Sequence, residues 1–495
     1  MIAKTLEINW HDGQAVYSID FSPDGLRYAT AGADSSIRIW SVKTPTETQP
    51  TTKGKANTKN PNSSPVNVDY LSELKRHTAP VNVVRFSPNG EYLASAGDDT
   101  SIILWKLSNV KESTFGKEYG DFEKETWSMV QMFYGHNKEI YDLSWSPCGQ
   151  YFITGSIDNT ARVWSITERK SIHVFADHTH YVQGVAWDPL GQYVATQSSD
   201  RSVAVYKCRQ GTNGGLRFGS LRKHHKLDKK RILNATKQSA ATPDISESAT
   251  GSYRILSFSP DGALLITPAG LYKDSDEPGT MEEQVSSDQE EFRNCAYVYP
   301  RNALLKHPIA YSNEYPKPSI AVRWSRVLYR KQGQEKSSLF VLPYRLVYVI
   351  ATQDAIYVYD TQQARPLCVI SGMHYASITD ATWSPDGTIL MFSSADGYCS
   401  AVVFADGELG EIYENVTETA PDVEMSEASE APQPKPKPEQ PNITLPDMLL
   451  VTSTKKRISP HTVVADDNPS VTPVTSTNTK KRRITPTLIS APIPR

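Results

Sequence analysis

The stretch GHNKEIYDLSWSPCGQYFITGSIDNTARVW, residues 135–164, decides the fold. Ile140, Leu143 and Trp145 lie in a short apolar run, and Pro147, Cys148 and Gly149 signal a turn. Residues 151–154 read as a second short strand, residues 156–159 as a second turn, and residues 161–164 as a third strand. Three strands of this length cannot bury their own faces, so the unit must be one of several.

The copies are present. Six residues before Trp164 is Asp158, ten before it Thr154 and nineteen before it Trp145. The same offsets link Trp40 with Asp34, Thr30 and Phe21, and Trp105 with Asp99, Ser95 and Phe86. They also link Tyr206 with Asp200, Thr196 and Trp187. The blocks open at His11, His77, His136 and His178. A His-to-Trp block of this spacing is that of a WD40 β-propeller, whose blades pack radially around a channel and leave few sheet edges exposed. The reading is an all-β fold, a seven-bladed WD40 propeller with a disordered C-terminal tail.

The polar residues of the block have a structural task. A buried His, a hydroxyl, an Asp and an indole N–H can satisfy one another, and each left unpaired would cost roughly 1–3 kcal/mol. His136, Thr154, Asp158 and Trp164 therefore read as a brace within one blade. The same residue types suggest a hydrolase triad, but recurrence at fixed offsets in four blocks argues for structure over catalysis. No catalytic residue, cofactor site or metal site is expected.

Composition narrows the class further. The 495 residues carry a formal net charge of −3, so bulk charge does not make the chain a polyanion binder. Five scattered cysteines form no C-x-x-C pair, which argues against a disulfide frame or zinc cage and for a reducing compartment. The first residues, MIAKTLEINWHDG, do not read as a signal peptide, and the most apolar run, residues 339–351, is broken by Pro343 and Arg345. No membrane contact is expected.

Along the chain, residues 5–10 alternate and are expected to complete the last blade, with pairing near residues 6–8. Insertions interrupt the propeller near residues 44–68, 108–128, 207–252 and 273–291. The third begins with a basic stretch, residues 207–237, holding ten Lys/Arg and one acid, Asp228. It reads either as a solvated loop or as an electrostatic contact for an acidic protein segment or nucleic acid. His224 and His225 inside it lack further ligands at metal spacing. Residues 254–262 restart blade five, residues 320–324 blade six and residues 378–387 blade seven, ending near Phe404. Blades five to seven lack the full brace.

Residues 1–413 thus read as the propeller and residues 414–495 as a tail, first acidic and Pro-rich, then basic. The tail repeats one motif, at residues 455–464 and 480–490. Lys456, Arg457, Ile458 and Pro460 form the first copy. Arg482, Arg483, Ile484, Pro486 and Leu488 form the second. Three readings compete: a nuclear localisation signal at Lys480, Lys481, Arg482 and Arg483; a linear ligand that adds a strand to a partner's sheet edge; and plain solvation. Thr485-Pro486 also fits a proline-directed kinase site.

The segments EINWHDGQAVYSIDFSPDG, RHTAPVNVVRFSPNGEYLASAGDD, HYVQGVAWDPLGQYVAT and LPYRLVYVIATQDAIYVYDTQQARP resemble the family of middle, WD-repeat subunits of chromatin assembly factor 1. The tail motif resembles the segment by which these subunits, and the related histone regulator HIRA, dock on the anti-silencing-function histone chaperone. The resemblance implies a nuclear, non-enzymatic subunit of a complex that deposits histones H3–H4 on newly replicated DNA. Its implied partners are the large and small subunits, the anti-silencing-function chaperone at Arg482, Arg483, Ile484, Pro486 and Leu488, and H3–H4, directly or indirectly. DNA and the sliding clamp are implied only through the complex. The alternatives are a HIRA-like replication-independent assembly factor, which the absence of a large second domain disfavours, a generic scaffold such as a ubiquitin-ligase substrate receptor, and direct DNA binding through residues 207–237.

Overall fold

The computed structural model describes residues 1–43, 65–108, 123–211, 215–224, 244–245, 254–273, 292–304, 308–333, 340 and 342–413. All lie in the compact unit Met1–Thr419. Seven antiparallel sheets follow one another, each with its first strand innermost. Blade one is Val16–Phe21, Tyr28–Gly32, Ser36–Lys43 and Asn67–Lys75. Blade two is Val81–Phe86, Leu93–Gly97, Ile102–Ser108 and Thr126–Phe133. Blade three is Ile140–Trp145, Tyr151–Ser156, Ala161–Ser165 and Lys170–Phe175, so the stretch quoted first supplies its three inner strands. Gly149, at φ 68°, sits in the tight turn between the first two, a conformation that costs glycine little.

Blade four is Val182–Trp187, Tyr193–Ser198, Val203–Gln210 and Leu216–His224. Blade five pairs Ser257–Phe258, Leu264–Lys273, Phe292–Pro300 and Ala310–Tyr315, with Asp244–Ile245 added beside Leu264–Lys273. Blade six is Ser319–Tyr329, Arg345–Thr352, Ala355–Asp360 and Cys368–Ser371. Blade seven is Ile378–Trp383, Ile389–Ser394 and Cys399–Val403, completed from the other end of the chain by Ile2–Leu6.

The core lies between blades. Ala29, Ala31, Ile37 and Ile39 of blade one pack on Val81, Val84, Phe86 and Leu93 of blade two, and the small alanines let the sheets approach. Each blade thus buries its neighbour's face, which is why no single repeat is stable alone.

Several expected boundaries move. The closing strand is Ile2–Leu6, earlier than residues 6–8, because the backbone turns directly after it: Ile8 N–H donates to Leu6 O and Trp10 N–H to Ile8 O. Trp10 is fully buried, edge-on to Trp40, and its indole N–H donates to Leu6 O at 3.3 Å. Asn67 and Val68 belong to the outer strand of blade one, and Val66 is core, so the first insertion ends before residue 65. Ser108 closes one strand of blade two, and Thr126, Trp127 and Ser128 open the next. The basic stretch is not a loop from its start. Lys207 to Gln210 and Leu216–His224 pair as a hairpin, the outer half of blade four, where Phe218 meets Phe175. Lys273 ends a strand of blade five and does not begin an insertion.

Candidate functional site

The repeat residues converge in blade three. Trp164 Nε1–H donates to Thr154 Oγ1 at 2.8 Å, and an indole can only donate. Thr154 therefore turns its own proton to His136 Nε2 at 2.8 Å, which leaves Nδ1–H to donate to Asp158 at 2.8 Å. Asp158 also accepts from the Asn137 and Thr160 backbone N–H groups and from the Thr160 hydroxyl. Burial holds His136 below its ordinary pKa, in keeping with a neutral ring. Burial pushes Asp158 up, but the donors around it more than reverse this and hold it well below the usual carboxylate range. Thr154 is fully buried and its oxygen already has two partners, so it offers no nucleophile to a substrate.

Blades one and two repeat the chain of bonds through Trp40, Thr30, His11 and Asp34, and through Trp105, Ser95, His77 and Asp99. In blade four Tyr206 stands where the others have Trp. His178 still bonds Thr196 and Asp200, while the Tyr206 hydroxyl donates to Asp177 at 2.8 Å.

Sequence reading missed a brace in blade seven. His374 Nδ1 contacts Asp396 at 3.1 Å, and its Nε2 lies 2.9 Å from Ser400 Oγ. Phe392 and Val402 occupy the positions of the usual hydroxyl and indole, so the anchor was absent. The His374-to-Asp396 spacing equals that of His136 to Asp158 and was the available signal.

The channel is a second site that spacing alone does not reveal. The inner strands place Arg85 of blade two and Arg323 of blade six on one carboxylate, Asp380 of blade seven, at 2.9 and 2.8 Å. Asp380 is fully buried. Burial pushes its pKa up, and the two guanidiniums more than reverse that. Around this cluster lies a cavity of about 520 Å³ at the channel end bordered by Pro88, Pro147, Pro189, Pro260 and Pro385. Blades are also stitched here. Asp20 of blade one accepts the Phe86 N–H, Asp142 of blade three accepts the Val185 N–H, and Ser144 accepts the Trp187 N–H.

At the other channel end, six inner strands carry a β-bulge at one common position. The bulged residues are Tyr17, Asn82, Tyr141, Gln183, Ile320 and Thr379. A bulge breaks the ladder and re-aims its side chain.

The expected tail residues, Lys456, Arg457, Ile458 and Pro460, and Lys480, Lys481, Arg482, Arg483, Ile484, Pro486 and Leu488, lie outside the described residues, as does His225. Among the described residues no group of three or more His, Cys, Asp or Glu is placed to hold a metal ion, and no helix is long and apolar enough to cross a membrane.

Residues 1–409 match the family described as the CAF1B/HIR1 beta-propeller domain. The CAF1B subunit of chromatin assembly factor 1 from Gallus gallus is 35% identical, over 82% of this chain and 68% of that protein. Its counterpart from Schizosaccharomyces pombe is 32% identical, over 83% of this chain and 89% of that protein. Protein HIRA of Oryza sativa subsp. japonica is 32% identical over 81% of this chain, but over 37% of that protein. With seven blades, the recurring brace and these matches together, the chain belongs to the CAF1B family of chromatin assembly factor 1 subunits, within the CAF1B/HIR1 propellers.

Proposed function

We propose that this chain is a non-catalytic scaffold subunit of a chromatin assembly factor 1 complex and acts in the nucleus. In this reading the propeller, residues 1–413, binds the large and small subunits. The complex deposits histones H3–H4 on newly replicated DNA, and contacts with DNA and the sliding clamp are made through the complex. The tail, residues 414–495, brings in the anti-silencing-function chaperone through Arg482, Arg483, Ile484, Pro486 and Leu488. The copy at Lys456, Arg457, Ile458 and Pro460 is weaker, with Lys where the better copy has Arg. Lys480 to Arg483 also serves nuclear import.

One observation carries the reading. Similarity to the CAF1B relatives covers 68% and 89% of two of those proteins' own length, against 37% of HIRA's, so this chain matches the overall build of the former. The match to HIRA at 32% identity favours a HIRA-like, replication-independent assembly factor as the second reading. Co-expression with the large and small subunits tests both. Purification as a three-part complex that loads H3–H4 onto replicating plasmid supports the first. Failure to join those subunits, with loading onto non-replicating plasmid, supports the second.

A further inference from the structure

The two ends of the channel differ in a way that the scaffold role does not explain. At the end lined by the proline turns, acid and base are already matched: Arg85 and Arg323 both engage Asp380. At the bulge end they are not. Asp98 of blade two and Glu139 of blade three stand near each other there, and among the described residues neither is in an ion pair.

Geometry brings aromatic rings to the same place. Tyr17 and Tyr141 are the bulge residues of blades one and three, and both are partly exposed. Asn82, the bulge residue of blade two between them, donates its amide to Asp98 Oδ1 at 2.6 Å and to Ile140 O at 3.0 Å. That amide fixes the carboxylate against blade three. Tyr181 of blade four, 37% exposed, extends the row. Burial pushes the Tyr141 hydroxyl up, and Asp98, Glu139, Tyr181 and Tyr17 all add to this, which places the five groups in one electrostatic neighbourhood. Burial and the Glu139 and Asp99 carboxylates likewise hold Asp98 above its ordinary value. Carboxylates crowded in this way gain from an incoming cation. Tyrosine rings beside them add cation–π attraction and a rigid, amphipathic contact area.

We propose that Tyr17, Tyr141 and Tyr181, with Asp98 and Glu139, form a docking surface at the bulge end of the channel for a lysine- or arginine-bearing peptide segment of a partner protein. The basic side chain lies over the Tyr17 and Tyr141 rings and pairs with Asp98 and Glu139. The peptide backbone runs across the inner ends of blades one to four. This surface is separate from the tail motif, so the two are tested independently.

The experiment uses the full chain and two 12-residue capped peptides in a Gly/Ser background, one with a central Lys-Arg pair and one with Gln-Gln. Binding is followed by fluorescence anisotropy. The Lys-Arg peptide should bind saturably, and Gln-Gln about tenfold or more weaker. The double variant Asp98→Asn, Glu139→Gln should lose that preference while melting no lower than the parent. It relieves two crowded carboxylates, and the amide introduced in place of the Asp98 carboxylate keeps an oxygen for Asn82. Tyr141→Ala should weaken binding, and Tyr141→Phe should retain it, because the ring and not the hydroxyl faces the cation. Arg326→Gln, in the lining of the cavity at the proline end, should change nothing. No saturable binding of the Lys-Arg peptide overturns the proposal. So does equal binding of the two peptides, or a neutralised variant that binds within about twofold of the parent.

Discussion

Thr5 Oγ1 lies 3.0 Å from Ser400 Oγ although 395 residues separate them. Ser400 in turn contacts His374 Nε2 at 2.9 Å, and Thr5 also donates to Met373 O at 3.1 Å. The N-terminal strand thus completes the polar brace of blade seven as well as its sheet. Five registered pairs run from Ile2↔Val403 to Leu6↔Cys399. Leu6 is buried in the cluster that joins blades seven and one.

Deleting residues 1–9 should therefore open the ring. The lost strand pairing and the burial of Leu6 together are on the order of 5 kcal/mol. Melting should stay cooperative and shift to markedly lower temperature and denaturant. An unchanged midpoint would remove the closure argument.

Asp158→Ala tests the brace. The variant leaves His136 Nδ1–H and the Asn137 and Thr160 N–H groups without their acceptor. The expected cost is about 3 kcal/mol. Partner binding per folded molecule should be unchanged, because the brace side chains are buried or nearly so. A variant that melts like the parent but loses binding would assign Asp158 to recognition instead.

Acid should unfold the propeller through these same groups. Burial pushes Asp34 up, but hydrogen bonds from His11 and Ser36 bring it down to about 2. Asp99, Asp158, Asp200 and Asp396 are depressed for the same reason. A folded-state pKa below the unfolded one means the folded state binds its proton later. That stability is fully present above about pH 4 and is lost as pH falls toward 2. Burial lowers His136 and His374, so protonation below about pH 6.5 favours unfolding too. Asp20, Asp98 and Asp142 oppose this. Burial raises all three, Asp142 to about 6, so their penalty shrinks as pH falls through the folded values. Five depressed aspartates outweigh them at low pH. Denaturant melts from pH 7 to pH 3 should show the steepest loss below pH 4, and Asp158→Asn should flatten that slope by up to ~1.4 kcal/mol per pH unit.

Much of this fold was legible because four blocks keep hydroxyl, acid and aromatic at fixed offsets from one anchor. The outer strands were not. Asn67–Lys75 and Thr126–Phe133 are mostly half-buried, but a register shift at Leu71 and at Val130 interrupts their apolar alternation, and both follow polar insertions. The blade seven brace escaped because its hydroxyl moved from the position of Phe392 to Ser400 on the next strand. The Arg85, Arg323 and Asp380 cluster could not be read at all. Its members are isolated charges in three blocks, and only ring closure brings Arg85 of blade two to Asp380 of blade seven.

The tail motif is the sharpest remaining test of the proposed role. A segment added to a sheet edge alternates its side chains, which puts Arg482, Ile484, Pro486 and Leu488 on one face and Arg483, Thr485 and Thr487 on the other. Ile484 would fill an apolar pocket on the anti-silencing-function chaperone. Truncating it forfeits up to ~3 kcal/mol, or roughly 150-fold in affinity. In this reading the arginines would act through charge pairs, so their contribution should fall with salt while that of Ile484 should not. Pro486 lacks an N–H and limits how far the added strand can pair. Phosphate on Thr485 would compete for Arg482 and Arg483. A peptide of residues 476–495 should bind that chaperone by itself. Ile484→Ala and Arg483→Glu should each weaken it severely, and a peptide of residues 452–466 should bind less well. Titration calorimetry decides the matter. Equal affinities for the parent and Ile484→Ala peptides would leave Lys480 to Arg483 with nuclear import alone.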